Sequence, residues 1–332
     1  MMHLGENSYL SVNLTCRCNL ACSYCFKNGE TPFAASDFDL GELAFLLEES
    51  ERLGFAWIAL TGGEPLMYPF LEEAFDLISK RKLDLFFETN AILMDQKWSS
   101  ALKTLGLDRR LIVSISLDSD RAADHDHHRG KGSFAGVLAA IRLLKADGLQ
   151  VAVNKVLSQA DLANGFSIER FVGFCKGLGV DSINLTRLVP MGRARDSMEV
   201  LTEEQTLALR QELMARDDFE RYVFSPDFYT ARTMCDCLRL ASDSPGLAVY
   251  PGRVQPCAQF PEINLGTATQ LERIVTTDAQ GKFNALRKTT LLEVSRDAVW
   301  SCPECRPAFS TLLRQAESGW TDCLTGQRTA GL

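Results

Sequence analysis

Residues 9–26 read YLSVNLTCRCNLACSYCF, a short run of alternating apolar residues that passes directly into a loop with four of the chain's eleven cysteines. The alternation predicts a β-strand, and the loop carries the spacing C-x3-C-x2-C on Cys18, Cys22 and Cys25. Three thiolates on one short loop can bind three irons of a cubane iron–sulfur cluster and leave the fourth iron without a protein ligand. Such an iron is open to an exogenous ligand, so the loop is a candidate site of chemistry.

Structural zinc is the alternative for the same cysteines. A structural zinc site usually takes its Cys or His ligands from a short stretch of chain. Residues 26–39 contain neither Cys nor His, so zinc is the lesser interpretation of this loop.

The strand and the loop together resemble the radical S-adenosylmethionine (radical SAM) superfamily. The likeness rests on the cysteine spacing, on the aromatic Tyr24 before the last cysteine, and on the T-x-R-C-N pattern of residues 15–19. In that superfamily the open iron chelates the amino and carboxylate groups of SAM. The resemblance implies a SAM-binding [4Fe-4S] cluster on the three spaced cysteines, with Tyr24 at the cofactor and Cys16 outside the ligand set as a small buried residue.

Composition and charge exclude several classes of partner. The 332 residues include 35 basic and 43 acidic side chains, a formal charge of −8, and no block of Lys or Arg, which argues against a nucleic-acid partner. No apolar run reaches transmembrane length, so no membrane partner is expected. The N-terminus lacks the regions of a signal peptide, and the cysteines therefore predict a reducing, cytoplasmic interior where thiols bind metal.

The first two thirds of the chain alternate apolar runs with stretches of helical spacing, which predicts strands joined by crossover helices. Such a series forms a parallel α/β sheet, here a partial (β/α)6 TIM-like barrel with one open side, and places functional loops at the carboxyl ends of the strands. The predicted strands are Tyr9–Leu14, Phe55–Leu60, Leu83–Phe87, Leu111–Leu117, Leu149–Leu157 and Ser182–Leu188.

Two domains are expected, a barrel core over residues 1–218 and a small cysteine-rich module over residues 219–332. A polar helix, Thr202 to Arg216, leads into the second module, where residues 247–254 predict a hairpin that turns at Pro-Gly. So small and loop-rich a module needs a covalent or metal staple.

A glycine-rich turn, residues 61–65 with the sequence TGGEP, follows the second strand. Glycines let the backbone approach a ligand closely, and a carboxylate can accept a hydrogen bond from a cationic amine; a purely structural turn is the alternative. The superfamily carries a GGE motif at this place, which holds the amino group of SAM. The resemblance therefore implies that Gly62, Gly63 and Glu64 bind the cofactor.

Polar residues follow the later strands, where they are costly unless they are used or solvated. Glu88-Thr89-Asn90 resembles the T-N-G segment of the superfamily, with Ala91 in place of the glycine. Loop capping is the alternative for these residues, and a structural salt bridge is an equal alternative for the arginine among them. The residues that the resemblance assigns to SAM or substrate are Asn90, Ser116, Asp118, Asn154 and Arg187.

Three of the four histidines lie in residues 124–130, DHDHHRG. Imidazole and carboxylate suit several transition metals, so a metal site is one interpretation. The segment also resembles the H-D-x-x-R-G loop that follows the fourth strand in peptide-modifying radical SAM enzymes, and a solvated turn is a third interpretation. Cys175, within an apolar stretch, is expected to be a small buried residue.

Six cysteines remain in the second module, and their spacings resemble the auxiliary-cluster module called Twitch, the short form of SPASM. Gly252 to Cys257 gives G-x4-C, and Cys302 to Cys305 gives C-x2-C. Thr311 stands where the longer SPASM pattern has its next cysteine, which favours one auxiliary cluster. The ligands that the resemblance implies for this [4Fe-4S] cluster are Cys237, Cys257, Cys302 and Cys305.

A zinc ribbon on the same four thiolates is the alternative for this module. Two cysteines, Cys235 and Cys323, are left over by the assignment. Either one replaces an assigned ligand, donates a hydrogen atom to the substrate, or does neither.

The resemblance implies a radical SAM oxidoreductase. It would reductively cleave SAM to methionine and a 5′-deoxyadenosyl radical that abstracts a hydrogen atom from an unactivated carbon. Maturation of a ribosomally made peptide natural product is the favoured substrate class, because the Twitch module and the His125–Gly130 loop are frequent among such maturases. Dehydrogenation of a sugar, an aminocyclitol or another small molecule is the runner-up, and a non-catalytic zinc or iron–sulfur protein is the alternative of a different class.

Partners follow from the same resemblance. A flavodoxin or ferredoxin is the expected reductant. About twenty residues precede the cysteine loop, too few for a folded leader-binding domain, so a separate leader-binding protein is one way in which a peptide substrate would be delivered.

Overall fold

The computed structural model describes residues 8–25, 37–188, 192–194, 199–219, 222–224, 246–255 and 266–272. Within them, nine strands form one sheet. The strands are β1 (Tyr9–Asn13), β2 (Trp57–Thr61), β3 (Asp84–Thr89), β4 (Leu111–Ser116), β5 (Gln150–Leu157), β6 (Ser182–Arg187), β7 (Val223–Phe224), β8 (Gly246–Tyr250) and β9 (Arg253–Gln255). Their order is β7-β6-β5-β4-β3-β2-β1-β8-β9, parallel throughout except for the antiparallel pair of β8 and β9.

Helices connect the consecutive parallel strands. They are α1 (Leu40–Leu53), α2 (Leu71–Ser79), α3 (Gln96–Leu105), α4 (Ala122–Arg129), α5 (Ser133–Ala146), α6 (Gln159–Ala163), α7 (Ile168–Gly177) and α8 (Glu203–Met214). Side-chain caps set where several of them begin, since Asp39, Asp95 and Ser167 each accept the N–H of the residue three positions on. None of the helices in the described ranges has the combined length and apolar character that a membrane span requires.

The two faces of the sheet differ in chemistry. One face is fully buried against leucine-rich helix faces, and its residues include Leu10, Val12, Ile58, Leu60, Leu85, Phe87, Val113, Ile115, Val153, Ile183 and Val249. Toward the carboxyl ends of the strands the alternate positions on the other face are mostly small or polar, and in register Ser116 lies opposite Asn154, which lies opposite Asn184. Because successive side chains alternate across a strand, one sequence pattern supplies both an apolar core and a polar surface at the carboxyl ends of the strands.

The predicted α/β class is confirmed, and each of the six predicted strands coincides with an observed strand to within two residues at either end. The hairpin is also present, with Tyr250 paired to Arg253 across the Pro-Gly turn. Its first strand pairs in parallel with β1, so the sheet continues beyond residue 218. The division of the chain into two domains stays a prediction.

One charged pair interrupts the apolar face. Lys155 on β5 is fully buried, and its Nζ donates to Asp161 Oδ1 at 2.6 Å and to the Val156 carbonyl at 2.7 Å. Asp161 is buried as well and accepts from the N–H and hydroxyl of Ser158 at 2.8 and 2.9 Å. The ammonium depends on this carboxylate, because an unpaired buried charge is costly.

Asp161→Ala is therefore expected to lower the free energy of unfolding by about 3–5 kcal/mol, since it leaves a buried ammonium without its partner. Urea unfolding followed by circular dichroism measures the change. The matched control is Asp76→Ala, which breaks the exposed Lys80 pair and should cost less than about 1 kcal/mol. Equal losses in the two variants would contradict this account, whereas partial recovery in Lys155→Met/Asp161→Ala would support it.

Candidate functional site

The cluster loop, residues 15–25, begins at the carboxyl end of β1 and carries the three spaced cysteines. The N–H of Cys25 donates to the Cys22 carbonyl at 3.2 Å, which closes a tight turn between two of them. The sulfur of Cys18 accepts from the Leu20 N–H at 3.5 Å and from Asn90 Nδ2 at 3.8 Å. Donors directed at a thiolate are a usual feature of iron–sulfur sites.

The thiols of the loop also interact with one another. Burial raises the pKa of Cys18 and Cys22, and the negative charge of Cys25 raises both further. Metal binding displaces such protons. Three neighbouring thiols with donors at one sulfur fit the iron–sulfur cluster that the spacing predicts, in which each thiolate binds a different iron. A site for a single metal ion is a separate matter: no three His, Cys, Asp or Glu side chains in the described ranges converge on one ion.

The glycine-rich turn packs against the cluster loop itself. The N–H of Gly63 donates to the Thr15 carbonyl at 2.6 Å, and the N–H of Glu64 donates to the Arg17 carbonyl at 2.7 Å. A Cβ at Gly62 would lie 2.6 Å from the Thr15 oxygen, and one at Gly63 would lie 2.8 Å from the Cys16 oxygen. The two glycines are thus required by a close backbone approach, and the backbone that approaches is the loop of the cysteines.

Glu64 joins this turn to the end of β3. Its fully buried carboxylate accepts from the Thr89 hydroxyl at 2.6 Å, the Asn90 N–H at 2.8 Å and the Leu66 N–H at 3.2 Å. Burial raises its pKa, although these hydrogen bonds oppose the shift. All three partners belong to the protein, so contact between Glu64 and the amino group of SAM stays a prediction.

Asn90 reaches from β3 to the cluster loop. Its Nδ2 donates to Asn19 Oδ1 at 2.8 Å, and its Oδ1 accepts from the Ile92 N–H at 3.0 Å. Ala91 has φ 62°, a left-handed conformation that glycine adopts without steric cost. Ala91, which stands in place of the glycine of T-N-G, therefore has the left-handed backbone conformation that glycine commonly adopts.

The histidine-rich segment forms helix α4, so its interpretation as a solvated turn is wrong. His125, His128 and Arg129 are buried. Asp126 accepts from the N–H groups of Gly132 and Phe134 at 2.6 and 2.8 Å, which ties α4 to the start of α5. These histidines join no metal-binding group within the described residues.

Helix α4 contacts the cluster loop through both backbone and side chains. The N–H of Ser23 donates to the His128 carbonyl at 2.9 Å, and the Ser23 hydroxyl lies 3.1 Å from His128 Nδ1. The Tyr24 hydroxyl donates to Asp118 Oδ2, which also accepts from Arg129 Nε at 2.5 Å. Burial opposes ionisation of Asp118, but the Arg129 guanidinium holds the pKa of that carboxyl well below its usual range.

Arg193 was not found by sequence reasoning. It lies in the single turn Gly192–Ala194 that follows β6, and its N–H donates to the Cys25 carbonyl at 3.0 Å. Its Nη1 donates to the Cys22 carbonyl, also at 3.0 Å. Hydrogen bonds to backbone carbonyls leave no charge pattern in the sequence. The one available signal was the position of Arg193 just after a predicted strand.

The remaining predicted residues divide between the two faces of the sheet. Ser116 and Asn154 are neighbours on the polar face, joined there by Asn184, whose Nδ2 lies 3.4 Å from Asn154 Oδ1. Arg187 is in register with Leu157 on the helix-covered face, so the structure does not group it with the other two. Which of them contact SAM stays a prediction.

Two further cysteines are resolved by the structure. Cys175 is buried as predicted, and burial raises its pKa to about 12. Cys16 is exposed, so the expectation that it is buried is wrong. The cysteines assigned to the second module lie outside the described residues: Cys235, Cys237, Cys257, Cys302, Cys305 and Cys323.

A family model described as the radical SAM superfamily matches residues 12–185, just over half of the chain. The chain belongs to the radical SAM superfamily. It is therefore an enzyme, and membership implies a [4Fe-4S] cluster and SAM as its cofactors. The alternative of a non-catalytic zinc or iron–sulfur protein is accordingly set aside.

Among relatives, this radical SAM enzyme is 28% identical over 264 residues to the antilisterial bacteriocin subtilosin biosynthesis protein AlbA of Bacillus subtilis (strain 168), covering 78% of this chain and 56% of AlbA. It is 25% identical over 329 residues to the PqqA peptide cyclase of Gluconobacter oxydans (strain 621H), covering 95% of this chain and 84% of the cyclase. It is 30% identical over 227 residues to the mycofactocin maturase MftC of Mycobacterium ulcerans (strain Agy99), covering 66% of this chain and 58% of MftC. The chain thus spans little more than half the length of two of these relatives, and they confirm the predicted SPASM/Twitch-type subgroup.

Solved structures show the same fold. Streptococcus suis SuiB superposes with a TM-score of 0.66 at 14% identity, over 90% of this chain and 71% of SuiB. The structure of anSMEcpe with bound AdoMet gives a TM-score of 0.65 at 17% identity, over 90% of each chain. The partial TIM-like barrel predicted from the sequence is confirmed.

Acid is expected to destabilise the protein through His125, because burial lowers the pKa of this imidazole from 6.5 to about 4. Between these values the unfolded chain binds a proton that the folded chain excludes. The free energy of unfolding therefore decreases as the pH is lowered, by about 2 kcal/mol at pH 5. In His125→Asn, the difference in unfolding free energy between pH 7 and pH 5 should be smaller by about that amount. Urea unfolding at the two pH values measures it.

His127→Asn is the control, because His127 is exposed on the same helix. It should keep the pH dependence of the wild type. If His125→Asn also keeps that dependence, then His125 is not excluded from protonation in the folded state.

Proposed function

We propose that this radical SAM enzyme abstracts a hydrogen atom from an unactivated carbon during maturation of a ribosomally made peptide. The observation that carries the proposal is similarity over 95% of the chain to a protein named as a peptide cyclase. The relatives named as a bacteriocin biosynthesis protein and a maturase support it. An open sheet with a polar face beside the cluster loop suits a substrate larger than a single metabolite.

The proposed SAM-binding cluster lies on Cys18, Cys22 and Cys25. When bound, the cluster and SAM supply a 5′-deoxyadenosyl radical, the species that removes the hydrogen atom. The protein directs that reactivity and excludes water and stray donors from it. The residues proposed to contact SAM are Tyr24, Gly62, Gly63, Glu64, Asn90, Ser116, Asp118, Asn154 and Arg187.

An auxiliary [4Fe-4S] cluster on Cys237, Cys257, Cys302 and Cys305 is proposed to accept an electron from the substrate or to orient it. Cys235 and Cys323 are the proposed hydrogen-atom donors or replacement ligands. A flavodoxin or ferredoxin as reductant, a cytoplasmic location and a separate leader-binding protein complete the proposal.

The enzyme, reconstituted without oxygen, is expected to hold about eight irons per chain as two cubanes and to form 5′-deoxyadenosine with dithionite. Changing Cys18, Cys22 and Cys25 together to Ala should abolish that product and leave about half of the iron, because the auxiliary cluster uses other ligands. Iron analysis and chromatography of the nucleoside measure both. Cys16→Ala is the matched control from the same loop and should retain both the product and the iron.

Persistence of 5′-deoxyadenosine in the triple variant would overturn the ligand assignment. The substrate class needs a separate experiment, in which a short precursor peptide encoded beside the gene is incubated with the enzyme and SAM and then analysed by mass spectrometry. A change in peptide mass supports a maturase. An unmodified peptide, together with turnover of a sugar or aminocyclitol, would contradict it.

A further inference from the structure

We propose that Arg129 is a positioning residue for the cluster loop, acting through Asp118 and Tyr24. The inference rests on the proposed function only in that the loop holds a cluster. Tyr24 lies between Cys22 and Cys25, so whatever fixes its side chain fixes the main chain between two of the three thiols.

The connection is a chain of three side chains from three segments, in which Asp118 and Arg129 are buried and Tyr24 is half-buried. Arg129 ends helix α4, Asp118 follows β4, and Tyr24 belongs to the cluster loop. Arg129 donates to both oxygens of Asp118, at 2.5 Å from Nε and 3.5 Å from Nη2. The Asp118 side chain is 1% exposed, so no solvent competes for its oxygens, and the phenol donates to the oxygen that Arg129 Nε contacts.

Each member of the chain depends on the others. Asp118 without Arg129 would be a buried carboxylate with no cation in contact, which is unfavourable. The guanidinium also lies over the Tyr24 ring, 5.5 Å from its centroid, and cations favour that position. The planar fork of arginine therefore orients the carboxylate and covers the ring at once, which the single ammonium of lysine does not reproduce.

The backbone contact supports the same conclusion independently. The Ser23 N–H donates to the carbonyl of His128, the residue before Arg129, at 2.9 Å. Helix α4 is also held by the Asp126 bonds to the start of α5. The loop thus rests on a helix end that is itself anchored in the fold.

The experiment uses the reconstituted enzyme and compares Arg129→Lys and Tyr24→Phe with the wild type. Electron paramagnetic resonance spectra of the dithionite-reduced proteins are recorded before SAM is added, so that direct contact with SAM plays no part. Subtracting the spectrum of the Cys18/Cys22/Cys25→Ala variant removes the auxiliary cluster. Tyr24→Phe keeps the ring and the buried ion pair and removes only the hydroxyl that joins them.

Both variants are expected to shift or broaden the signal of the cluster. At saturating SAM, both should also form 5′-deoxyadenosine about 10- to 100-fold more slowly, the usual effect of removing a residue that orients metal ligands. Arg170→Lys is the matched control, since Arg170 makes the same two-oxygen contact to Asp120 at the surface, at 2.5 and 3.3 Å. It should give the wild-type spectrum and rate.

Wild-type spectra in both variants would overturn the proposal, even if the melting temperature of Arg129→Lys fell, because that result describes a residue that only stabilises the fold. If the wild type itself forms no 5′-deoxyadenosine, the proposed function fails. The spectra still decide whether Arg129 positions the loop.

Discussion

The site depends on one close approach of two stretches of backbone. The cluster loop leaves β1 and passes over Gly62 and Gly63 at the end of β2, where side chains larger than hydrogen do not fit. Hydrogen bonds of 2.6 and 2.7 Å join the two stretches. Because β1 and β2 are neighbours in register, the sheet itself brings the turn to the loop, and the position of the cysteines follows from the pairing of strands.

Other elements hold the remaining sides of the loop, and each uses a different kind of contact. Helix α4 contributes a backbone bond and Arg129, which holds the Tyr24–Asp118–Arg129 chain together, while Arg193 binds two of the loop carbonyls. Asn90 donates to the loop at Cys18 and Asn19. A loop that must present three thiols in fixed relative positions gains from such preorganisation, since ligand geometry is set by the residues behind the ligands.

Much of the fold was predictable because strand periodicity is a local property. The runs that became β1 to β6 alternate or are continuously apolar over a few residues, and the spacing of Cys18, Cys22 and Cys25 lies within one loop. The glycines were predicted to permit a close approach to a ligand, whereas the approach that the structure shows is to the backbone of the cluster loop, which the sequence does not reveal. Helix α4 was missed because its charged and histidine residues have no apolar stripe. The Arg193 contacts join distant segments, and the Asp118–Arg129 pair joins a strand end to a helix end, so no periodic pattern encodes either of them.

Gly63→Ala is the most direct test of the close backbone approach, with Gly173→Ala as control, since a Cβ at Gly173 would meet no atom within 4 Å. We predict that Gly63→Ala retains the circular dichroism of the folded sheet but loses the spectroscopic signal of the cluster on Cys18, Cys22 and Cys25. The control should keep that signal. A full signal in folded Gly63→Ala would contradict the claim that the close backbone contact at this turn forms the site.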